Sequence, residues 1–139
     1  MSQSPQLGDF PHLSFDKLRY ADTDMLGHAN NATFATFFET GRVELLYHRP
    51  EPLAAPGCGF VIARLAIDFA AEIPWPGKVD IGTRVVAIGR SSVTLGQALF
   101  QDGRHVASSQ SVIVQIDLSS RKSRPLAAAA LAVLESLRG

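Results

Sequence analysis

The hydrophobic period of this sequence changes from helical to strand-like, and that change constrains the fold more than any other feature. Between Asn31 and about His48, apolar residues recur at helical spacing. They are Phe34, Phe37, Phe38, Gly41, Leu45 and Leu46. After Gly59 the period becomes two, as in a strand. A helix with three phenylalanines on one face needs heavy burial, so the sequence predicts a sheet that covers it.

One strand-like run precedes this helix, over residues 12–20, and four follow it. In the run over residues 60–73 we expect one unbroken apolar face. It would comprise Val61, Ala63, Leu65, Ile67, Phe69, Ala71 and Ile73. The turns at Pro74–Gly77, at Gly89 and at Gln101-Asp102-Gly103 indicate consecutive hairpins, with a short terminal helix after Pro125. The prediction is an α+β fold: an antiparallel sheet of about five strands, four of them a meander, around one helix.

Composition limits the class of protein. The 139 residues suffice for one domain, which we expect to span residues 1–139 with a mobile segment at 1–11. Lys+Arg and Asp+Glu are 13 each, so the neutral chain does not favour nucleic acid as a partner. No apolar run approaches the roughly 18–20 residues of a membrane span, and residues 1–6 do not resemble a signal peptide. The single cysteine, Cys58, excludes an internal disulfide and indicates the cytoplasm.

Functional side chains are densest between the first strand and the helix, at Asp22, Asp24, His28, Asn30 and Asn31. Either asparagine is a suitable N-cap, and free amides at a helix N-terminus can polarise a carbonyl. A nearby carboxylate can act on water or on that carbonyl. The alternative is structural, because Asp-Thr-Asp before a glycine is common turn chemistry. Their spacing matches no metal motif, so we expect no metal and no cofactor.

These residues carry a resemblance to a known family. Residues 19–31, Arg-Tyr-Ala-Asp-Thr-Asp-Met-Leu-Gly-His-Ala-Asn-Asn, resemble the opening of the hotdog-fold acyl-CoA thioesterases, more specifically the 4-hydroxybenzoyl-CoA thioesterase-like branch. The following Phe37, Phe38, Glu39 and Arg42 fit the same pattern, and residues 89–94 resemble that branch's turn between adjacent strands. The similarity extends over about residues 12–117. It implies a sheet wrapped around one long helix, in agreement with the periodicity.

The resemblance also implies the roles of the site residues. Asp24 would be the catalytic carboxylate, as nucleophile or as general base on a water. Amides around Asn30 and Asn31 would polarise the thioester carbonyl. Plant acyl-carrier-protein thioesterases have a similar spacing between an Asp and a His and use both residues, so the resemblance implies a second role for His28. Their pattern has an asparagine where this sequence has Leu26. Some branches use a carboxylate on the helix, which would be Glu39, but an ion pair with Arg42 is the preferred interpretation of that residue.

Substrate and partners follow from the same resemblance. Arg90, Ser91 and Ser92 would contact the phosphates of CoA, with Lys78 or Arg64 helping; the alternative is a solvated turn. The active form would be a homodimer or a dimer of dimers with active sites between subunits. Phe34, Phe37 and Phe38 fit either an aliphatic or an aromatic acyl pocket, and equally a plain core.

Two other functions remain open on sequence. One is an acyl-carrier-protein thioesterase, which would need a basic docking surface that the neutral charge does not favour. The other is a binding module that holds acyl-CoA without turning it over. Cys58 lies in a loop with no base near it in sequence, so we interpret it as incidental rather than nucleophilic.

Overall fold

Five antiparallel strands form one sheet in the computed structural model, which describes residues 4–139. The strands are β1 (His12–Leu18), β2 (Cys58–Phe69), β3 (Gly77–Ile88), β4 (Ser92–Gln101) and β5 (Arg104–Asp117). The helices are α1 (Asn31–Leu46) and α2 (Ala128–Ser136), and single 3₁₀ turns lie at Leu7–Asp9 and Tyr20–Asp22. The α+β class and the five-stranded sheet with one long helix are confirmed.

Helix α1 begins and ends for identifiable local reasons. The Asn30 side chain accepts a hydrogen bond from the Ala32 amide at 2.9 Å, so Asn30 is the N-cap. The helix ends at Leu46, two residues before the predicted end, where the Tyr47 amide donates to the Val43 carbonyl. The predicted helix is therefore correct in type and nearly so in extent.

The face of α1 that carries the phenylalanines packs mainly on β1, β3 and β4. Phe37 and Phe38 are fully buried there. The helix comes closest to the sheet at Gly41, where an added Cβ would lie 2.7 Å from Ile81 Cγ2. At that point Gln97 Nε2 donates to the Phe38 carbonyl at 3.1 Å. A glycine here lets the helix backbone approach the strands directly.

The predicted four-stranded meander is wrong, because β2 does not pair with β3. The strand order is β1-β3-β4-β5-β2, which places β2 at the edge beyond β5. One side of β3 is taken by β1 and the other by β4, so β2 finds a partner only at the free edge of β5. Residues 70–76 cross the ends of β5 and β4, held by the Ala70 and Ala71 amides, which donate to the Val106 carbonyl.

The unbroken apolar face predicted for residues 60–73 is also wrong. A register shift between Ile62 and Arg64 adds a residue to β2, so that Val61 points away from the face that carries Leu65. Because α1 covers the other half of the sheet, β2 stays open: Ile62 is 47%, Leu65 37% and Phe69 52% exposed. Strand β2 is an apolar edge of this chain.

The two ends of the described chain are packed. Phe10, expected in a mobile segment, is buried, and its ring makes an edge contact with Phe100 at 6.2 Å between centroids. Residues 1–3 of that segment lie outside the described residues. In α2, which begins three residues after Pro125, Leu134 is fully buried. No helix within residues 4–139 combines the length and apolar character that a membrane crossing requires.

Candidate active site

The loop between β1 and α1 is a closed turn fixed by its own backbone. The Asp24 amide donates to the His28 carbonyl at 2.9 Å, and the Gly27 amide donates to the Asp24 carbonyl at 3.0 Å. Gly27 has φ of +79°, which glycine adopts without strain. The Ala29 amide donates to the Ile73 carbonyl at 2.8 Å, so the loop also docks on the crossover that follows β2.

Asp22, the first carboxylate of Asp-Thr-Asp, has a structural role. It is buried and accepts hydrogen bonds from the Arg19 amide at 2.8 Å and from Arg19 Nη2 at 2.9 Å. Burial by itself raises the pKa of Asp22, but the hydrogen bonds and charge of Arg19 outweigh it, so the pKa lies below its usual range. The turn-chemistry interpretation is therefore correct for this residue.

Asp22→Asn should lower the free energy of unfolding by about 1–3 kcal/mol near neutral pH, since a buried charge-assisted interaction is lost. The folded-state pKa is depressed, so the stabilisation exists above the unfolded-state pKa and disappears as pH falls through the folded value. Urea unfolding at pH 7 and at pH 3 measures this, with the exposed Asp68→Asn as the control. A gap between wild type and variant that is equally large at both pH values would contradict the assignment.

Asp24, the second carboxylate, is exposed at a cleft. Its Oδ1 accepts from the Leu26 amide at 2.9 Å, which fixes the carboxylate orientation. Its Oδ2 has no hydrogen-bond partner within residues 4–139. The cleft measures about 380 Å³ and is lined by Asp24, Leu26, His28, Ala29, Asn31, Phe34, Phe69, Ala70, Ala71 and Glu72. The second carboxylate is thus held in place and open to a ligand.

The start of α1 offers one donor to this cleft rather than the two we expected. The Asn30 amide donates to the Asp22 carbonyl at 2.8 Å, so it is not free to donate to a ligand. The Asn30 side chain and carbonyl accept from the Ala32 and Thr33 amides. Asn31, which lines the cleft, keeps a backbone amide without an acceptor in the described part of the chain. Of these two amides, only that of Asn31 therefore remains free to donate, within the partial positive charge of the helix N-terminus.

His28 is held at the same cleft by a residue that sequence reasoning missed. Its Nε2 lies 3.3 Å from Glu72 Oε2, and both side chains line the cleft. The alternation of the sequence places Glu72 on the outer face of a regular strand, whereas it lies in the crossover after β2 ends. No local sequence signal marks it, because its position depends on the pairing of β2 with β5.

The other acid proposed from sequence lies elsewhere. Glu39 lines a separate cleft of about 230 Å³ between α1 and β2, not the cleft of Asp24. The predicted ion pair with Arg42 is wrong: the ion pairs in residues 4–139 join other partners. Three residues apart on a helix is a suitable spacing, but Arg42 turns inward and is buried whereas Glu39 is exposed.

Within one chain, the predicted CoA-contacting residues do not line the cleft of Asp24. The turn of Arg90 and Ser91 is held by the Leu126 and Gln115 amides, beyond the C-terminal end of α1. Arg64 lies on the exposed edge strand, and Lys78 Nζ lies 3.2 Å from Asp80 Oδ1.

Cys58 is buried and free. Among the described residues, no three His, Cys, Asp or Glu side chains are grouped as metal ligands. A larger cleft of about 460 Å³ lies between residues 49–56 and α2, and it is lined mostly by alanine and proline, with Arg49 and Glu51 as its charged residues.

The family model of the thioesterase-like superfamily matches residues 18–134. The acyl-CoA thioester hydrolase YbgC of Escherichia coli O6:H1 is 23% identical over 114 residues, covering 79% of this chain and 85% of that protein.

Two solved structures are similar. PA5185 of Pseudomonas aeruginosa PAO1 superposes with a TM-score of 0.87 at 25% identity, covering 97% of this chain and 96% of that one. A thioesterase of Thermus thermophilus, solved with coenzyme A and Zn, has a TM-score of 0.78 at 29% identity over 94% and 96% of the two chains.

Proposed function

Because this chain belongs to the thioesterase-like superfamily, we propose that it is an acyl-CoA thioesterase that hydrolyses its substrate at the Asp24 cleft. The resemblance to hotdog-fold acyl-CoA thioesterases is confirmed by the family match and the structural neighbours. The observation that carries the choice of site is that one cleft is lined both by Asp24, whose carboxylate is oriented, and by Asn31, whose amide has no acceptor in the described part of the chain. The similarity to a protein named acyl-CoA thioester hydrolase supports CoA as the thiol part of the substrate.

The proposed chemistry needs only groups of this chain. The thioester carbonyl oxygen accepts a hydrogen bond from the Asn31 amide, which strengthens as negative charge develops on that oxygen. The Asp24 carboxylate then either attacks the carbonyl carbon or removes a proton from an attacking water. In both routes the carbon–sulfur bond breaks and CoA leaves as thiolate. In the first route, water hydrolyses the resulting anhydride and regenerates Asp24.

His28 is the second polar side chain that we assign to the site. Its contact with Glu72 fixes one ring nitrogen at the cleft wall. From there His28 would hold the attacking water against Asp24. The apolar wall beside them consists of Phe34 and Phe69, whose rings lie 5.0 Å apart in an edge contact and would receive the acyl group.

We propose that the active form is a homodimer, or a dimer of dimers, with active sites between subunits. The open apolar edge at β2 supports this, since exposed edge strands commonly mark interfaces. Arg90, Ser91 and Ser92 would then reach the phosphates of CoA from another protomer, with Arg64 or Lys78 assisting.

The proposed location is the cytoplasm. Its support is the single cysteine, Cys58, which is buried and free, as is usual in a reducing compartment.

Thiol release from a panel of acyl-CoAs tests the function. The panel spans short aliphatic, long aliphatic and aromatic acyl groups, each also offered on acyl-carrier protein. Turnover of acyl-CoA by the native protein is the expected result. Turnover of carrier-protein substrates alone, or tight acyl-CoA binding without thiol release, would overturn the proposal in favour of the two other functions.

Arg90→Ala should raise KM for acyl-CoA by about 10-fold, the loss of one charge-assisted phosphate contact, and leave kcat unchanged. The matched substrate is the N-acetylcysteamine thioester of the same acyl group, which has no phosphates. Its kinetic constants should not change. An equal rise in KM for both substrates would show that Arg90 shapes the turn instead of contacting the nucleotide.

A further inference from the structure

Arg42 is a buried charge that lacks a partner in the single chain. Only 7% of this residue is exposed, and its Nη1 has no hydrogen-bond partner among the described residues. Burial lowers the pKa of the guanidinium and the charge of Glu39 opposes this, yet an arginine stays protonated at physiological pH. An unpaired buried charge is strongly destabilising, so the folded protein is expected to supply Arg42 with an acceptor.

The carboxylate nearest in sequence is available for that purpose. Glu39 precedes Arg42 by three residues but forms no ion pair with it, and its side chain is exposed. Both residues line the 230 Å³ cleft between α1 and β2. One chain therefore places a buried donor group and an exposed acceptor along the same cleft.

An apolar surface surrounds this pair of charges. It consists of Val43, Tyr47 and Ile62, which are 46%, 39% and 47% exposed. The surface is continuous with the open edge of β2, whose outer side is unpaired in the described part of the chain. Apolar surface around complementary charges is what a self-complementary interface requires.

We propose that Arg42 is satisfied by Glu39 of a second copy of this chain, so that two reciprocal Arg42–Glu39 ion pairs close the homodimer. This inference rests on the homodimer given above. A two-fold interface makes every contact reciprocal. When two α1 helices lie antiparallel with the two-fold axis between residues 40 and 41, Glu39 of each helix lies opposite Arg42 of the other. They also overlap over residues 35–46, most of the helix.

The proposal gives Glu39 a task other than catalysis. As an interface residue it fixes the two α1 helices relative to each other, and with them the Asp24 loops that precede those helices. A bound anion is the alternative partner for Arg42, and the experiment below separates the two.

The test is a charge-swapped pair of variants, Glu39→Arg and Arg42→Glu, read by analytical ultracentrifugation. Glu39 is exposed, so Glu39→Arg should keep the native circular dichroism while its dimer weakens by at least about 30-fold, because each Arg42 meets a like charge. Mixing the two variants should restore a dimer containing one chain of each, since both ion pairs are then complementary across the interface. Within each variant chain the two charges repel, so an intrachain pair cannot explain recovery.

Arg42→Glu buries a carboxylate and can fail to fold alone, so it is also co-expressed with Glu39→Arg under a second affinity tag. Recovery of a one-to-one complex supports the pair. Glu51→Arg, an exposed charge reversal in the loop after α1, is the control and should remain a dimer. A wild-type monomer would overturn the homodimer and this inference together. A native dimer that Glu39→Arg leaves intact would overturn the ion pair alone and assign Arg42 to a bound anion.

Discussion

Asp24→Asn is expected to reduce kcat for acyl-CoA hydrolysis by about 10²–10⁴-fold, the contribution typical of a positioned acid–base group. The amide keeps the volume of the carboxylate and the hydrogen bond from the Leu26 amide, but it has neither basicity nor nucleophilicity. Steady-state thiol release measures the loss, and direct binding of acyl-CoA to the variant should change little. The substrate would then bind without being turned over.

The matched control is Asp102→Asn, in the exposed turn between β4 and β5, where φ is +51° and asparagine is well tolerated. It should retain full turnover. If Asp24→Asn also retained turnover, the catalytic carboxylate would have to be sought elsewhere, at Glu39 or with His28 as the base.

Phe38→Ala should lower the free energy of unfolding by about 3–5 kcal/mol, the cost of removing a large side chain from a core that cannot collapse around the space. Phe38 belongs to α1 and is completely buried on the face of that helix that packs on β3 and β4. Denaturant unfolding measures the change. The loss would be a large part of the roughly 5–15 kcal/mol typical of natural domains.

Phe15→Ala is the control, because it makes the same substitution at an exposed position. Phe15 lies on β1 with 63% of its surface exposed, so its truncation should cost less than about 1 kcal/mol. Equal losses for the two variants would contradict the packing of α1 on the sheet.

The helix was predictable because its signals are local. The spacing of Phe34, Phe37 and Phe38 and the cap at Asn30 are written within one stretch of chain. The position of β2 was not, because pairing of strands is decided by which edges other strands leave free. The extra residue after Ile62 likewise leaves no mark in the alternation of apolar residues, and it moves Val61 to the other face.

In the candidate site, too, local features were predictable from the sequence and non-local ones were not. The motif predicted Asp24 and Asn31 as site residues, and the structure brings both to one cleft. It pairs the neighbouring Asp22 with Arg19. The Asn30 amide donates to the Asp22 carbonyl only because the loop closes in this way, and the motif does not show that hydrogen bond. The contact of Glu72 with His28 and the cleft that Arg42 lines both depend on where β2 lies, so neither was visible before the strand order was known.

The most direct test of the account is a crystal structure of Asp24→Asn with an intact acyl-CoA that the native protein hydrolyses. We predict the thioester in the cleft of Phe34 and Phe69, its carbonyl oxygen within hydrogen-bond distance of the Asn31 amide and its carbonyl carbon beside residue 24. A thioester bound in the cleft of Glu39 and Arg42, or with its carbonyl turned away from Asn31, would contradict the assignment of Asp24 as the catalytic carboxylate.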